Sequence, residues 1–272
     1  MALAIGVSNE KGGVGKTILS VELHQELQRK GYKTLLIDCD SQSNSTSFFG
    51  ADNSLGTKTL VDMLFEDEPA SNCIQHCKNG DIIAGDPELV HAETEIRRDG
   101  YEYDRLKDSI ETILDDYDFI IMDTPRGYGI VFQNILVASD YIITPIETQG
   151  LYSLDGLVDF FIKVDKFAKK RNPELVNLGI VINLFRKNVK LHQRNFQRAR
   201  EIAETANVML FKNIIPMANV VSESVTEKHQ PIYKYNRKSD AQTEIESFVN
   251  DVLKEIKRTP KGKDLKIRKN KE

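Results

Sequence analysis

Two lysines, a threonine and three glycines fall within seven consecutive residues, Lys11-Gly12-Gly13-Val14-Gly15-Lys16-Thr17, directly after Gly6-Val7-Ser8-Asn9-Glu10. Gly12, Gly13 and Gly15 let the backbone turn steeply and aim its N–H groups inward. The apolar run Leu3–Ser8 before them reads as a strand, and Thr17–Lys30 after them reads as a helix. A glycine-rich loop in that setting cradles phosphate, and the positive end of the helix adds to it. Lys16 is placed to reach the β- and γ-phosphates of a nucleotide, and the Thr17 hydroxyl to bind Mg²⁺. The residues expected to line the nucleotide are Lys11, Gly12, Gly13, Val14, Gly15, Lys16, Thr17 and Ile18. The strict pattern G-x-x-x-x-G-K-[ST] asks for glycine at position 10, where this chain has Glu10, and it has an additional lysine at Lys11.

Two acidic segments follow. The helix Thr17–Lys30 would run about 21 Å away from the loop. The strand Lys33–Asp38 would return about 20 Å. Asp38 and Asp40, in Leu36-Ile37-Asp38-Cys39-Asp40, thus arrive at the sheet edge that carries the loop. Open α/β sheets bind ligands at the carboxyl ends of their strands. Either acid could instead cap the turn. Further on, the apolar run Phe119-Ile120-Ile121-Met122 ends in Asp123. A buried strand with a terminal carboxylate facing Mg²⁺ has this pattern.

Apolar runs alternate with helical patterns, which predicts a mostly parallel twisted sheet flanked by helices. The remaining strand candidates are Asp81–Ala84, Tyr141–Pro145, Leu178–Asn183 and Phe211–Ile215. The remaining helix candidates are Thr59–Phe65, Asp104–Asp115, Gly129–Ala138, Leu151–Lys170, Lys190–Ala206, Val220–Glu227 and Asp240–Lys257. Residues 42–58 are polar and read as a loop. One domain, residues 1–258, is expected to be followed by a basic, disordered tail, residues 259–272.

KGGVGKT is the deviant Walker A sequence, and with it the chain resembles the ParA/MinD family of P-loop ATPases. The segment Asp38-Cys39-Asp40-Ser41-Gln42-Ser43-Asn44 is similar to the family's D-x-D-P-Q-x-N signature, with Ser41 in place of the proline. Ala138-Ser139-Asp140 through Pro145, and Ser153-Leu154-Asp155-Gly156-Leu157, resemble a further block. The resemblance covers roughly residues 1–255 and loosens in the last third. It implies the P-loop fold of the deviant Walker A type, with ATP and Mg²⁺ as ligands. It implies that ATP draws two subunits face to face, with Lys11 reaching the partner's phosphates. The catalytic set is then Lys11, Lys16 and Asp40, the last acting on the attacking water. The metal set is Thr17, Asp38 and Asp123. Asn183, Pro216 and Met217 would edge the adenine pocket. The family continues its second acidic motif as D-x-P-P, where this chain has Pro125-Arg126. Arg126 could meet phosphate, a neighbouring subunit or solvent.

The segment Phe185–Arg200 holds six Arg/Lys and no acid. Lys187, Lys190, Arg194 and Arg198 are spaced so that they can share one helix face. With Arg186 they form a row able to track DNA phosphates without reading bases. The family's late arginines are absent: Pro216-Met217-Ala218-Asn219-Val220 stands there. The reading that follows is an ATP-switched partition ATPase. It would form a homodimer with ATP, bind non-specific DNA, and reset with a ParB-like centromere-binding adaptor. A positioner of another cargo, a MinD-like membrane switch, and a reductase or metal-cluster carrier are the competing readings.

Composition narrows these. No apolar run approaches membrane-spanning length, so no stable membrane insertion is expected. No signal peptide is apparent at the start. Three cysteines, Cys39, Cys73 and Cys77, fit a reducing compartment rather than a disulfide framework. Cys73 and Cys77 flank His76, but the spacing matches no common zinc pattern. The expected location is cytoplasmic, on the nucleoid in the ATP state. Net charge is −4, with +6 on residues 257–272 and hence −10 on residues 1–256. A basic tail on an acidic body points to a polyanionic partner or a solvated end.

Overall fold

The computed structural model describes residues 1–91, 102–149, 156–263 and 265. Eight strands form one sheet in the order β3-β4-β2-β5-β1-β6-β7-β8. They are β1 (Leu3–Val7), β2 (Thr34–Asp38), β3 (Ile74–Cys77), β4 (Gly80–Ile83), β5 (Phe119–Asp123), β6 (Tyr141–Glu147), β7 (Val176–Phe185) and β8 (Leu210–Pro216). All neighbours pair in parallel except β3, which runs antiparallel to β4. The central strands β1, β2 and β5 are buried at every position, as strands covered on both faces must be.

The helices are α1 (Lys16–Arg29), α2 (Asn44–Phe49), α3 (Leu60–Phe65), α4 (Ala70–Cys73), α5 (Arg105–Glu111), α6 (Ile130–Ala138), α7 (Leu157–Arg171), α8 (Lys190–Thr205), α9 (Asn219–Ser222), α10 (Ile232–Tyr235) and α11 (Asp240–Ile256). Helix α1 packs with α11 over β1, β6 and β7 in one core. A second core gathers α3, α5 and α6 on the other face, and α7 and α8 extend it over β6 and β7. The layers are helix, sheet, helix, the architecture expected from alternating strand and helix patterns.

Several elements depart from the sequence reading. Residues 74–77 form β3, a hairpin with β4 in which Cys77 faces Gly80 across the turn. Four residues without alternating apolarity carry no strand signal. Residues 44–49, read as loop, form α2, which buries Phe48 and Phe49. Helix α8 begins at Lys190, so Lys187 lies in the preceding turn rather than on the helix. The segment predicted as Val220–Glu227 is one turn of α9 followed by a π-helical turn. Residues 151–155, the predicted first turn of α7, lie outside the described residues, as does part of the block Ser153–Leu157.

The chain stays attached past residue 258. The Tyr141 hydroxyl meets the Thr259 hydroxyl at 2.6 Å. The Lys261 ammonium pairs with Asp140 at 2.7 Å and Glu174 at 3.0 Å. Asp264 and residues 266–272, most of the expected tail, lie outside the described residues.

Candidate nucleotide-binding site

The carboxyl ends of the central strands set the site. Val7 of β1 and Asp38 of β2 are both register partners of Asp123 on β5. The sheet thus delivers the start of the loop and both aspartates to one point, which is where α/β sheets bind ligands.

The loop from Ser8 to Gly15 is held from outside. The Asn9 amide donates to the Pro145 carbonyl at 2.8 Å and accepts from Lys11 N–H at 2.9 Å. From β7, the buried Asn183 amide donates to the carbonyls of Val14, at 3.1 Å, and Gly15, at 3.4 Å. The Val14 and Gly15 carbonyls are thus engaged from behind by β7. Gly13 and Gly15 take φ near +80°, a conformation that favours glycine. A side chain at Gly15 would also collide with the Asn183 amide.

Lys16 is buried, and its ammonium donates to the Lys11 carbonyl at 3.1 Å. Burial depresses its pKa, Asp123 and Asp40 oppose the shift, and Arg126 adds to it. Lys11 stands at the rim, its ammonium 3.4 Å from the Glu147 carboxylate.

The two strand aspartates are fully enclosed. One oxygen of Asp38 accepts from the Thr46 N–H and hydroxyl, both at 2.8 Å, and the other from Asp40 N–H at 3.2 Å. Asp123 accepts from the hydroxyls of Ser20 at 3.1 Å, Ser45 at 2.8 Å, and Thr17. Burial pushes both carboxyls up, and for Asp38 the neighbouring Asp123 pushes further. Two carboxylates crowded in a dry site resist ionising together, a cost that a divalent cation removes. Among the described residues no group of three or more His, Cys, Asp or Glu could hold a metal. A cation held mainly by phosphate oxygens needs only one or two carboxylates, as Mg²⁺ typically does. Thr17, Asp38 and Asp123 supply such an all-oxygen donor set. Asp40 is half-buried and accepts from Gln42 N–H at 3.0 Å.

Ser20, Ser45 and Thr46 are the polar partners that sequence reasoning missed. Ser20 sits one turn past Lys16, and a hydroxyl four residues after the loop lysine was the available signal. Ser45 and Thr46 come from α2, within the stretch read as loop.

Beyond the loop, Met217 N–H donates to the Phe185 carbonyl at 2.9 Å. This brings Pro216 and Met217 beside the end of β7, next to Asn183. Ile18 packs against the apolar core. The Asn183 amide already holds the phosphate loop and Leu184 N–H, the latter at 2.9 Å.

Helix α8 buries His192, Asn195, Ala199 and Ala203 and exposes Lys190, Arg194 and Arg198. Arg186 and Lys187, also exposed, precede it. The three helical cations span about 12 Å. The buried face docks on the end of β6: Thr148 meets His192 at 2.8 Å and Asn195 at 2.9 Å. The helix is therefore tied to the residue next to Glu147. Cys73 and Cys77 lie on α4 and β3, at the opposite margin of the sheet from β8, and do not approach the loop. No helix among the described residues is long and apolar enough to cross a membrane.

The model of an AAA domain, AAA_31, matches residues 2–177. The chromosome partitioning protein ParA of Myxococcus xanthus is 30% identical over 238 residues, covering 86% of this chain and 82% of its own. The chain belongs to the ParA/MinD family. The sporulation initiation inhibitor protein Soj of Bacillus subtilis is likewise 30% identical, over 88% of this chain and 93% of its own. A Borrelia burgdorferi plasmid partition protein, solved with AMPPNP, superposes with a TM-score of 0.78 at 25% identity, covering 93% of this chain and 99% of that one. The ParA/MinD membership makes the chain a nucleotide-hydrolysing ATPase of the P-loop class.

Proposed function

We propose that this ParA-type chain is an Mg²⁺-dependent partition ATPase whose ATP-bound dimer holds DNA non-specifically and whose hydrolysis releases it. One observation carries the reading. A backed phosphate loop with Lys16 inside and Lys11 at its rim faces two enclosed aspartates from neighbouring strands. Thr17, Asp38 and Asp123 would hold Mg²⁺, which supplies charge neutralisation at the phosphates when bound. Loop N–H groups and Lys16 bind and orient the triphosphate. Asp40, on the turn after β2, orients and deprotonates the attacking water. Lys11 reaches the phosphates of the partner subunit, which makes the dimer depend on ATP. Pro216, Met217 and Asn183 flank the base.

The relatives' names, chromosome and plasmid partition, support the cargo, and the exposed cations Lys190, Arg194 and Arg198 of α8, in a segment Phe185–Arg200 that holds no acid, support DNA contact through phosphates. A ParB-like adaptor on the centromere then stimulates turnover, and the ATP form resides on the nucleoid in the cytoplasm. The test is DNA retention of the purified chain with ATP plus Mg²⁺, with ADP plus Mg²⁺, and with ATP plus EDTA. Retention of unrelated duplexes only in the first condition is expected. Equal retention in all three would contradict the switch.

A further inference from the structure

The segment after Asp123 is tied down on both sides of a single arginine. The Thr124 hydroxyl donates to the Val7 carbonyl at 2.7 Å, fixing the segment to the end of β1. Gly127 N–H donates to the Glu10 carbonyl at 2.8 Å, fixing it to the start of the phosphate loop. Gly127 takes a φ of 84°, the left-handed turn that permits this return. Between these anchors the Arg126 side chain lies across Gly12. A Cβ placed on Gly12 would stand 3.0 Å from both Cδ and Nε of Arg126, and 3.4 Å from Cζ. A side chain at position 12 would press on the guanidinium and push it off the loop.

Arg126 is exposed, and no carboxylate pairs with it among the described residues. Its charge is felt by the buried ammonium of Lys16. Lys16 and Arg126 are two cations at one loop, and their repulsion matters in a partly dry site. An arginine without a structural partner is normally free to swing into solvent, yet this one is folded back onto the loop. Gly12 follows Lys11 at the start of the loop, so Arg126 lies over the loop at its end farther from α1.

We propose that Arg126 is a catalytic residue supplied in cis, whose guanidinium contacts the terminal phosphate of the nucleotide bound by its own subunit and stabilises the charge that develops there. The assignment rests on the nucleotide reading above. In the step concerned, a water oxygen forms a bond to the γ-phosphorus. The bond from that phosphorus to the β–γ bridging oxygen breaks, and its electron pair stays on ADP. The water's proton leaves to Asp40. Charge spreads over the γ-oxygens on the way, and the planar fork of Arg126 donates to them.

The experiment compares wild type, Arg126→Ala and Arg126→Lys for ADP affinity, for the gain in affinity when aluminium fluoride joins ADP and Mg²⁺, and for kcat. Arg126→Ala should keep ADP affinity within about twofold, lose the aluminium fluoride gain, and lower kcat by about 10²-fold or more, the low end of what an arginine supplies in such reactions. Arg126→Lys should recover only part of kcat, because an ammonium lacks the two-pronged donor geometry. A kcat and an aluminium fluoride gain unchanged in Arg126→Ala would overturn the assignment. So would a loss of ADP affinity as large as the loss of kcat, which would mark a general binding or structural role. Wild type that binds neither ADP nor ATP would instead overturn the nucleotide reading itself.

Discussion

Lys11 and Glu147 stand 3.4 Å apart, so the lysine expected to reach a second subunit is held by its own. Both side chains are partly exposed, and the contact lies at the end of β6, one residue before the Thr148 that anchors α8. Lys11 must leave Glu147 before it can serve a partner's phosphates. Glu147→Gln should therefore raise the fraction of dimer formed with ATP under non-hydrolysing conditions, severalfold at protein concentrations near the dissociation constant. Lys11→Ala should bind ATP and remain monomeric. Light scattering with and without nucleotide reads both. An unchanged dimer fraction in Glu147→Gln would remove the restraining role of that ion pair.

Asn183 backs the loop through two carbonyls, and it is buried behind Gly15. Asn183→Ala removes donors to Val14 and Gly15 and opens a small void. Each hydrogen bond of this kind that is removed costs about 0.5–1.5 kcal/mol. The variant should fold, lose about 1–3 kcal/mol of stability in urea unfolding, and bind ATP at least several-fold more weakly. Wild-type affinity in that variant would mean that the loop holds its shape without β7.

Much of this arrangement could be read from the chain. The loop, its strand and helix, and Asp123 at the end of an apolar run are local patterns, and each arrived where periodicity and length placed it. Asp38 followed from the lengths of α1 and β2. What stayed hidden depends on contacts distant in sequence. The resemblance offered Asn183 as an adenine contact, but its hold on a loop 168 residues earlier has no local signature. Helix α2 is six polar-to-aromatic residues, too short for a periodic signal, yet its Ser45 and Thr46 enclose the aspartates. Helix α1 hid its environment differently. It is buried nearly all round and encloses Glu22, His24, Gln25 and Glu26, residues that amphipathic reasoning would have put outside.

That enclosure gives a pH dependence. Glu22 is fully buried, accepts from Ile232 N–H at 3.1 Å, and has its pKa pushed up by burial to about 8 from an ordinary 4.5. Between those values the folded chain binds the proton and the unfolded chain does not, so this group's contribution to stability declines as pH rises from 4.5 to 8. His24, pushed down by burial to about 4 from 6.5, acts in the opposite direction between 4 and 6.5. Above pH 6.5, Glu22 alone of the two remains. Glu22→Gln should lose less melting temperature than wild type between pH 6.5 and pH 8.5. Parallel curves over that range would show that Glu22 is ionised in the folded protein.

For the outer face of α8, charge reversal at Lys190, Arg194 and Arg198 should weaken DNA binding for all sequences alike. It should also reduce the slope of log affinity against log salt by about 0.9 for each phosphate that the helix no longer neutralises. ATP hydrolysis without DNA should stay near wild type, since none of the three side chains lies at the loop. An unaltered salt slope would move the DNA interface to another surface.

The central claim is that the loop between β1 and α1 binds a nucleoside triphosphate through Lys16 and its own backbone. Titration calorimetry with Mg-ATP, on wild type and on Lys16→Ala, tests it most directly. Saturable binding of one nucleotide per chain by wild type, and loss of that binding in Lys16→Ala, is the predicted result. No heat from wild type at saturating Mg-ATP, or the same isotherm from both proteins, would contradict it.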